Sequence, residues 1–319
     1  MFAVYRKRAM QSPSILVLTG PAGALSEPTL ERVFARVPDI KRLDRLWLAP
    51  GQAWQAEYEA PPEMSPQAIR ERVGAALDGL PIDANIVGLT GDRRKRLLIA
   101  DMESTIIEQE MLDELAGYVG LREKIAGITE RAMRGEIEFE AALRERVGLL
   151  AGLDARVLDE VAGRMTLMPG AEVLVRTMKA SCAYCALVSG GFTVFTERIA
   201  RRLGFDEHQA NTLEIARGKL TGRVVEPILG REAKLAALER LTAQRGLSLQ
   251  DTVAVGDGAN DLAMIEAAGL GVAFRAKPKV REAALAAPGG AVISHGDLAA
   301  LLYLQDYSKI IVPMGSIPA

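Results

Sequence analysis

Apolar positions in the first part of the chain switch between strand and helix spacing. Ser14 to Thr19, with Ile15 to Leu18 apolar, reads as a buried strand, and from Ser26 to Val37 the residues Leu30, Val33, Phe34 and Val37 recur on one helical face. Two further strand-like runs, Lys41 to Ala49 and Gln52 to Ala60, flank Pro50-Gly51, which reads as their turn. Pro66 to Leu80 places Ile69, Val73, Ala76, Leu77 and Leu80 at helical spacing, and Asp83 to Leu89 closes the segment as a strand. The order βαββαβ predicts a split-βαβ, ferredoxin-like module. No polar cluster in it marks a site, so a regulatory or docking role and a purely structural one both stand open.

The pattern then restarts. Thr90-Gly-Asp-Arg-Arg-Lys-Arg96 is polar and basic and reads as a solvated linker rather than a nucleic-acid patch, because the rest of the chain is slightly acidic. Short apolar runs follow at Leu97 to Ala100, Ala183 to Val188, Thr252 to Val255, Gly271 to Phe274 and Ala291 to Ile293, with helical patterns between them. That alternation predicts a doubly wound parallel sheet covered on both faces. From about 108 to 165 the rhythm breaks into successive helices with no strand, a helical insert placed after the first strand of the sheet. Ala210 to Val225 reads as a hairpin turning at Arg217-Gly218. The expected organisation is therefore α/β, with a ferredoxin-like domain over 1–92 and a larger domain over 93–319 carrying the insert.

Composition narrows the class. The chain has 319 residues, 49% of them apolar, enough for two buried cores. Lys and Arg number 39 against 41 Asp and Glu, a net charge of −2 that offers no field for a nucleic acid or an anionic bilayer. No apolar stretch approaches the roughly 18 residues of a spanning helix, and Ile15 to Leu18 is too short for a secretory leader. Tyr5-Arg6-Lys7-Arg8 before it reads as a loose tail. Two cysteines make no disulfide framework, so the expected compartment is the reducing cytoplasm.

In an open parallel sheet, ligands bind beyond the carboxyl ends of the strands, and four segments there carry chemistry. Asp101-Met-Glu103 puts two carboxylates just past an apolar run, converging on one substrate whether the chain stays extended or loops; acids favoured at a helix N-terminus are the plainer account. Ser189-Gly190-Gly191 at a strand-to-helix turn makes a phosphate cradle, though any tight turn of this kind looks similar. Lys234 stands in the first turn of a helix, where a cation is unfavourable unless something anionic compensates it. Val255-Gly-Asp257-Gly-Ala-Asn260-Asp261 offers two aspartates four apart at a strand end, hard oxygen ligands of the kind Mg²⁺ prefers. Together they point to phosphoryl transfer, with a metal and a lysine neutralising the phosphate so that a carboxylate attacks phosphorus. Hydride transfer is a poor rival, since no G-x-G-x-x-G follows any strand.

The segments DMEST, VSGGF, the lysine at 234 and VGDGAND resemble the four motifs of the haloacid-dehalogenase superfamily, and the helical insert is similar to its type-1 cap. Within it the likeness is to the enzymes that hydrolyse O-phosphoserine, over residues 97 to 304. The cap adds Glu110 in IIEQE, Met133 in ITERAMRG, Phe139 in IEFE and Arg146 in LRERVGLL, where that family places its substrate contacts. The resemblance implies a Mg²⁺-dependent phosphatase forming serine and phosphate, the last step of serine biosynthesis, with an ACT-like domain at the N-terminus. It assigns Asp101 as nucleophile, Ser189, Gly190 and Lys234 to the phosphate, and Asn260 to the substrate. The ion would be held by Asp101, the carbonyl of residue 103 and Asp257, with Asp261 behind them. Glu110 and Arg146 would read the ammonium and carboxylate of the amino acid.

Phe139 and Arg146 are seven apart and share a helical face with Leu143 and Leu150, so a lone Arg there needs an anionic partner or must snorkel to water. One position departs from the family, which has Asp where this chain has Glu103, the general acid and base. The carboxyl reaches one methylene farther, so either the site has shifted to fit Glu or turnover is slowed. A phosphatase for another small phosphomonoester, or a weakened serine-binding sensor, are the competing readings. Partners are a small-molecule substrate, with no nucleic acid or membrane, and a homodimer is the assembly to test. Cys182-Ala-Tyr-Cys185 lacks a second ligand pair for zinc and reads as strand packing, while His208 and His295 read as exposed loop residues.

Overall fold

The computed structural model describes residues 14–61, 63–88, 92–133, 136–308 and 310. The basic stretch Tyr5 to Arg8 and the Thr90-Gly91 start of the linker lie outside them. The first unit runs β1 (Ser14–Thr19), α1 (Glu27–Ala35), β2 (Lys41–Ala49), β3 (Ala53–Glu59), α2 (Pro66–Ala76) and β4 (Asp83–Gly88). Both helices start on a serine whose side chain accepts a backbone N–H, Thr29 to Ser26 and Ala68 to Ser65, with a proline at the first turn. The strands form an antiparallel sheet in the order β2-β3-β1-β4, the ferredoxin-like arrangement expected. Strand alternation divides its two faces. Leu16, Leu18, Trp54 and Ile86 meet Leu30, Val33, Ile69 and Val73 of the helices. Ile15, Val17 and Val87 face the other way, into the large core of the rest of the chain.

The second unit begins with β5 (Leu97–Ala100). Four helices follow it: α3 (Met111–Tyr118), α4 (Arg122–Met133), α5 (Phe139–Gly148) and α6 (Arg156–Ala162). They are the helical insert, and they form the cap. The chain returns through α7 (Ala171–Ala180), β6 (Tyr184–Phe192), α8 (Thr193–Leu203) and β7 (Glu207–Asn211). A hairpin of β8 (Leu213–Ala216) and β9 (Lys219–Val224) turns on Arg217 and Gly218, both at positive φ, and hydrogen-bonds to the cap through Gly152 and Leu220. Then come α9 (Ala233–Gln244), β10 (Thr252–Gly256), α10 (Leu262–Ala267), β11 (Leu270–Phe274), α11 (Pro278–Ala286), β12 (Gly290–Ile293) and α12 (Ala300–Leu304). Six strands pair in parallel in the order β12-β11-β10-β5-β6-β7. The doubly wound sheet with a helical cap is thus the fold the pattern implied.

Three expectations need correction. β6 does not end at Val188 but runs on to Phe192, so Ser189, Gly190 and Gly191 are extended strand rather than a turn. His208 lies in β7, an edge strand whose polar sequence hid it, and its Nδ1 is hydrogen-bonded to Thr196 Oγ1 at 3.0 Å. The described linker residues are not simply solvated. The Arg93 side chain, 11% exposed, donates to Gln55 Oε1 at 3.0 Å and Leu304 O at 3.1 Å and pairs with Asp306, joining the first sheet to α12.

The first unit meets the second edge to edge. Asn85 on β4 donates to Val292 O at 2.9 Å and accepts from Val292 N at 2.8 Å, the two bonds a neighbouring strand would make. Two residues away, the Asp83 carboxylate accepts from the backbone N–H groups of Ser294, His295 and Gly296.

Candidate active site

The register of the parallel sheet brings the sequence segments together. Ala100 at the end of β5 is level with Val255 on β10 and Leu187 on β6, so Asp101, Asp257 and Ser189 emerge side by side at the carboxyl edge. Past Ala100 the chain loops, with Ser104 at φ 55°, and no helix begins until Met111; this settles the two accounts of the acidic pair in favour of a loop. Asp101 and Glu103 both face a cavity of about 720 Å³, closed on the other side by Glu110, Phe139 and Arg146 of the cap. Gly190, Asp257 and Asn260 also line it, as do the cations Arg231, Lys277 and Lys279.

Beneath the cavity lies a buried charge cluster. Lys234 Nζ is 2.8 Å from Asp101 Oδ1 and also contacts Asp261, and the lysine is 3% exposed. The anion its place in the helix demanded is therefore two carboxylates. Both Asp261 oxygens are engaged, one by Lys234 and one by the Gly258 N–H at 2.9 Å. Gly256 makes this possible, since a methyl there would lie 2.2 Å from the Asp261 carboxyl carbon. Ser189 is 2% exposed, and its hydroxyl accepts the Gly191 N–H at 2.9 Å.

Burial dominates the acid–base properties. It raises Asp101 well above the usual carboxylate range, with Asp261 and Asp257 pushing the same way and Lys234 opposing. It pushes Glu103 up to about 8, helped by Glu110, while the hydrogen bond from the Met111 N–H at 3.0 Å works against it. Asp257 rises to about 6 through burial and Asp261. Burial would strip the proton from Lys234, but Asp101 and Asp261 outweigh it and hold the ammonium above its ordinary pKa. Carboxylate oxygens of Asp101, Asp257 and Asp261 lie within 4.8 Å of one another. An oxygen-only donor set with more negative charge than one lysine balances is suited to a hard divalent cation.

In the cap, Arg146 Nε donates to Ala142 O at 3.2 Å and Nη1 to Thr129 Oγ1 at 3.3 Å; no described carboxylate forms an ion pair with it. Burial lowers its pKa, partly offset by Glu103, Asp113 and Glu110. Glu110 accepts from Ser104 Oγ at 2.7 Å. A methyl on Gly190 would sit 3.4 Å from the Phe139 ring, so the cap reaches down to β6. Met133 ends α4, and its side chain lies outside the described residues. Asn211 was missed from the sequence: its amide donates to Gly190 O at 2.9 Å and accepts from Leu229 N at 2.8 Å, pinning the end of β6. The sequence offered little signal for it, since it closes an unrecognised strand whose residues are mostly polar. Cys182 is exposed and Cys185 buried, its thiol pushed up to about 12 by burial, so the pair lacks the activated thiolate of a redox site.

A six-stranded parallel sheet with aspartates at the ends of two adjacent strands, a buried lysine between them and a helical cap above defines a class of hydrolase. The chain belongs to the haloacid dehalogenase-like hydrolase family, whose model matches residues 98–266. A curated phosphoserine phosphatase of Streptomyces coelicolor is 47% identical over 219 residues, 68% of this chain and 53% of that protein. The chain spans about half the length of curated relatives such as this one. The crystal structure of a probable phosphoserine phosphatase from Vibrio cholerae aligns over 92% of this chain and 87% of its own, with a TM-score of 0.76 and 34% identity. A hydrolase of the same family from Salmonella enterica aligns over 93% and 99%, with a TM-score of 0.80 and 30% identity.

Proposed function

We propose that the protein hydrolyses O-phospho-L-serine to serine and inorganic phosphate through an acyl phosphate on Asp101. The observation that carries this is one cavity with two chemically distinct ends. At its floor a carboxylate pairs with a buried ammonium, and on its cap wall Arg146 is oriented by neutral groups and, among the described residues, forms no ion pair with a carboxylate. A phosphate suits the first end and an amino-acid carboxylate the second, bound through parallel N–H bonds. The names of the curated relatives support the same substrate.

In the first step an Asp101 oxygen attacks phosphorus and the bond to the serine oxygen breaks. Glu103, kept protonated near neutral pH by its raised pKa, gives its proton to that oxygen. In the second step Glu103, now a carboxylate, takes a proton from water as the water oxygen attacks phosphorus, and the bond to Asp101 breaks. Lys234 and the end of β6, with Ser189 and Gly190, hold the phosphoryl oxygens; Asn260, Phe139, Met133 and Glu110 contact the rest of the substrate. The carboxylates of Asp101 and Asp257 and the carbonyl of Glu103 would hold Mg²⁺, with Asp261 behind them. The ion supplies charge neutralisation that lets an anionic nucleophile meet a phosphate. Residues 1–92 then form a regulatory or docking module and 93–319 the catalytic unit, with its cap at about 108–165. A reducing cytoplasmic setting agrees with the free Cys182, and no helix among the described residues is long and apolar enough to cross a membrane. Sedimentation tests the expected homodimer.

The test is phosphate release from a panel of phosphomonoesters, with and without Mg²⁺. Asp101→Asn should stop turnover. Arg146→Ala should raise KM for phosphoserine by about a hundredfold, the loss of a charge-assisted pair, and leave an ester without a carboxylate unaffected. Equal effects on both substrates would remove phosphoserine as the natural one.

A further inference from the structure

Gly191 sits inside β6 in extended conformation, where glycine weakens a strand and where its φ gives no reason for one. A methyl built on it would lie 2.9 Å from both Glu103 carboxylate oxygens and 3.0 Å from the carbon between them. Those three atoms are its nearest neighbours, so what the missing side chain makes room for is the carboxylate of Glu103. The same carboxylate accepts the Met111 N–H at the start of α3 through Oε1 at 3.0 Å. Glu103 is thus held between a bare strand backbone and the first turn of a cap helix.

We propose that Gly191 is a positioning residue for the acid–base carboxylate, the clearance that lets a glutamate serve at position 103. The inference rests on the reading of Glu103 as general acid and base. A methyl at 191 meets the far end of a flexible side chain, which swings aside at little cost to folding. The swing moves the carboxylate off Met111 and away from the serine oxygen, and a misplacement of about 1 Å costs on the order of a hundredfold in rate. An aspartate at 103 ends one methylene earlier and leaves the space free.

The experiment is a double-mutant cycle in the full-length protein with Mg²⁺ and phosphoserine, read beside hydrogen exchange of the Met111 amide. Gly191→Ala should lower kcat by about tenfold or more, with the melting temperature nearly unchanged and Met111 exchange accelerated. In a Glu103→Asp background the same change should cost less than about threefold. An equal loss in both backgrounds would mean that residue 191 serves only the approach of the phosphoryl group, and would overturn the proposal. Unchanged Met111 exchange in Gly191→Ala would overturn it too, and that readout does not depend on turnover. Absence of phosphate release from the wild-type protein would instead sink the proposed function.

Discussion

At the scale of single residues the site is a charge balance in which the buried Lys234 stands against Asp101 and Asp261. Lys234→Met should destabilise the metal-free protein by about 3–5 kcal/mol at pH 8, because two buried carboxylates lose their partner. At pH 5 the loss should be smaller, since Asp101, already raised by burial, then takes up a proton; urea unfolding at the two pH values checks this. These residues were legible in the sequence because the two aspartates follow apolar strands, directly or after one short turn, and the lysine stands in the first turn of a helix. Lys234 in particular announced its partners by sitting where a helix disfavours a cation. Gly191, Asn211 and Arg93 were not legible in the same way. Their roles depend on what lies opposite in space: Glu103 for the first, Gly190 O for the second and the carbonyls of α12 for the third. No periodicity within their own segments encodes those partners.

At the scale of elements, strands buried on both faces were read well because parallel strands leave unbroken apolar runs. β7 escaped because an edge strand is half wet, and Glu207-His208-Gln209 carries no apolar alternation. The end of β6 escaped because two glycines read as a turn, although an extended chain tolerates them when another group needs the space. The contact between β4 and β12 is also unreadable from either strand alone. Asp83 satisfies three backbone N–H groups and Asn85 both polar groups of Val292. Removing such acceptors leaves donors unpaired, at about 1–3 kcal/mol for each group left dry. Asp83→Ala combined with Asn85→Ala should therefore make the chain between the two units, at 92–96, more open to proteolysis and lower the melting temperature by several degrees. Phosphate release should persist, because neither residue lines the cavity.

For the whole molecule, the raised carboxylates give stability a direction with pH. A group whose folded pKa exceeds its unfolded one binds a proton preferentially in the folded state, so its contribution is complete below the unfolded value and disappears as pH rises through the folded value. For Asp257 that window ends near 6 and for Glu103 near 8. Mg²⁺ should accordingly add more to the melting temperature at pH 8 than at pH 5, where protons already occupy its site; an equal increment at both would argue that the ion binds elsewhere. The first unit, meanwhile, is not a bead on a string, since one face of its sheet shares the large core and the linker's Arg93 ties its Gln55 to α12. The Asn85 amide has a further consequence for how the protein behaves in a crowded solution. A bare strand margin is a template on which other chains polymerise, and here one side chain occupies the hydrogen-bonding positions of Val292 on β12 that a foreign strand would need. The small module in this sense shields that margin of the large sheet.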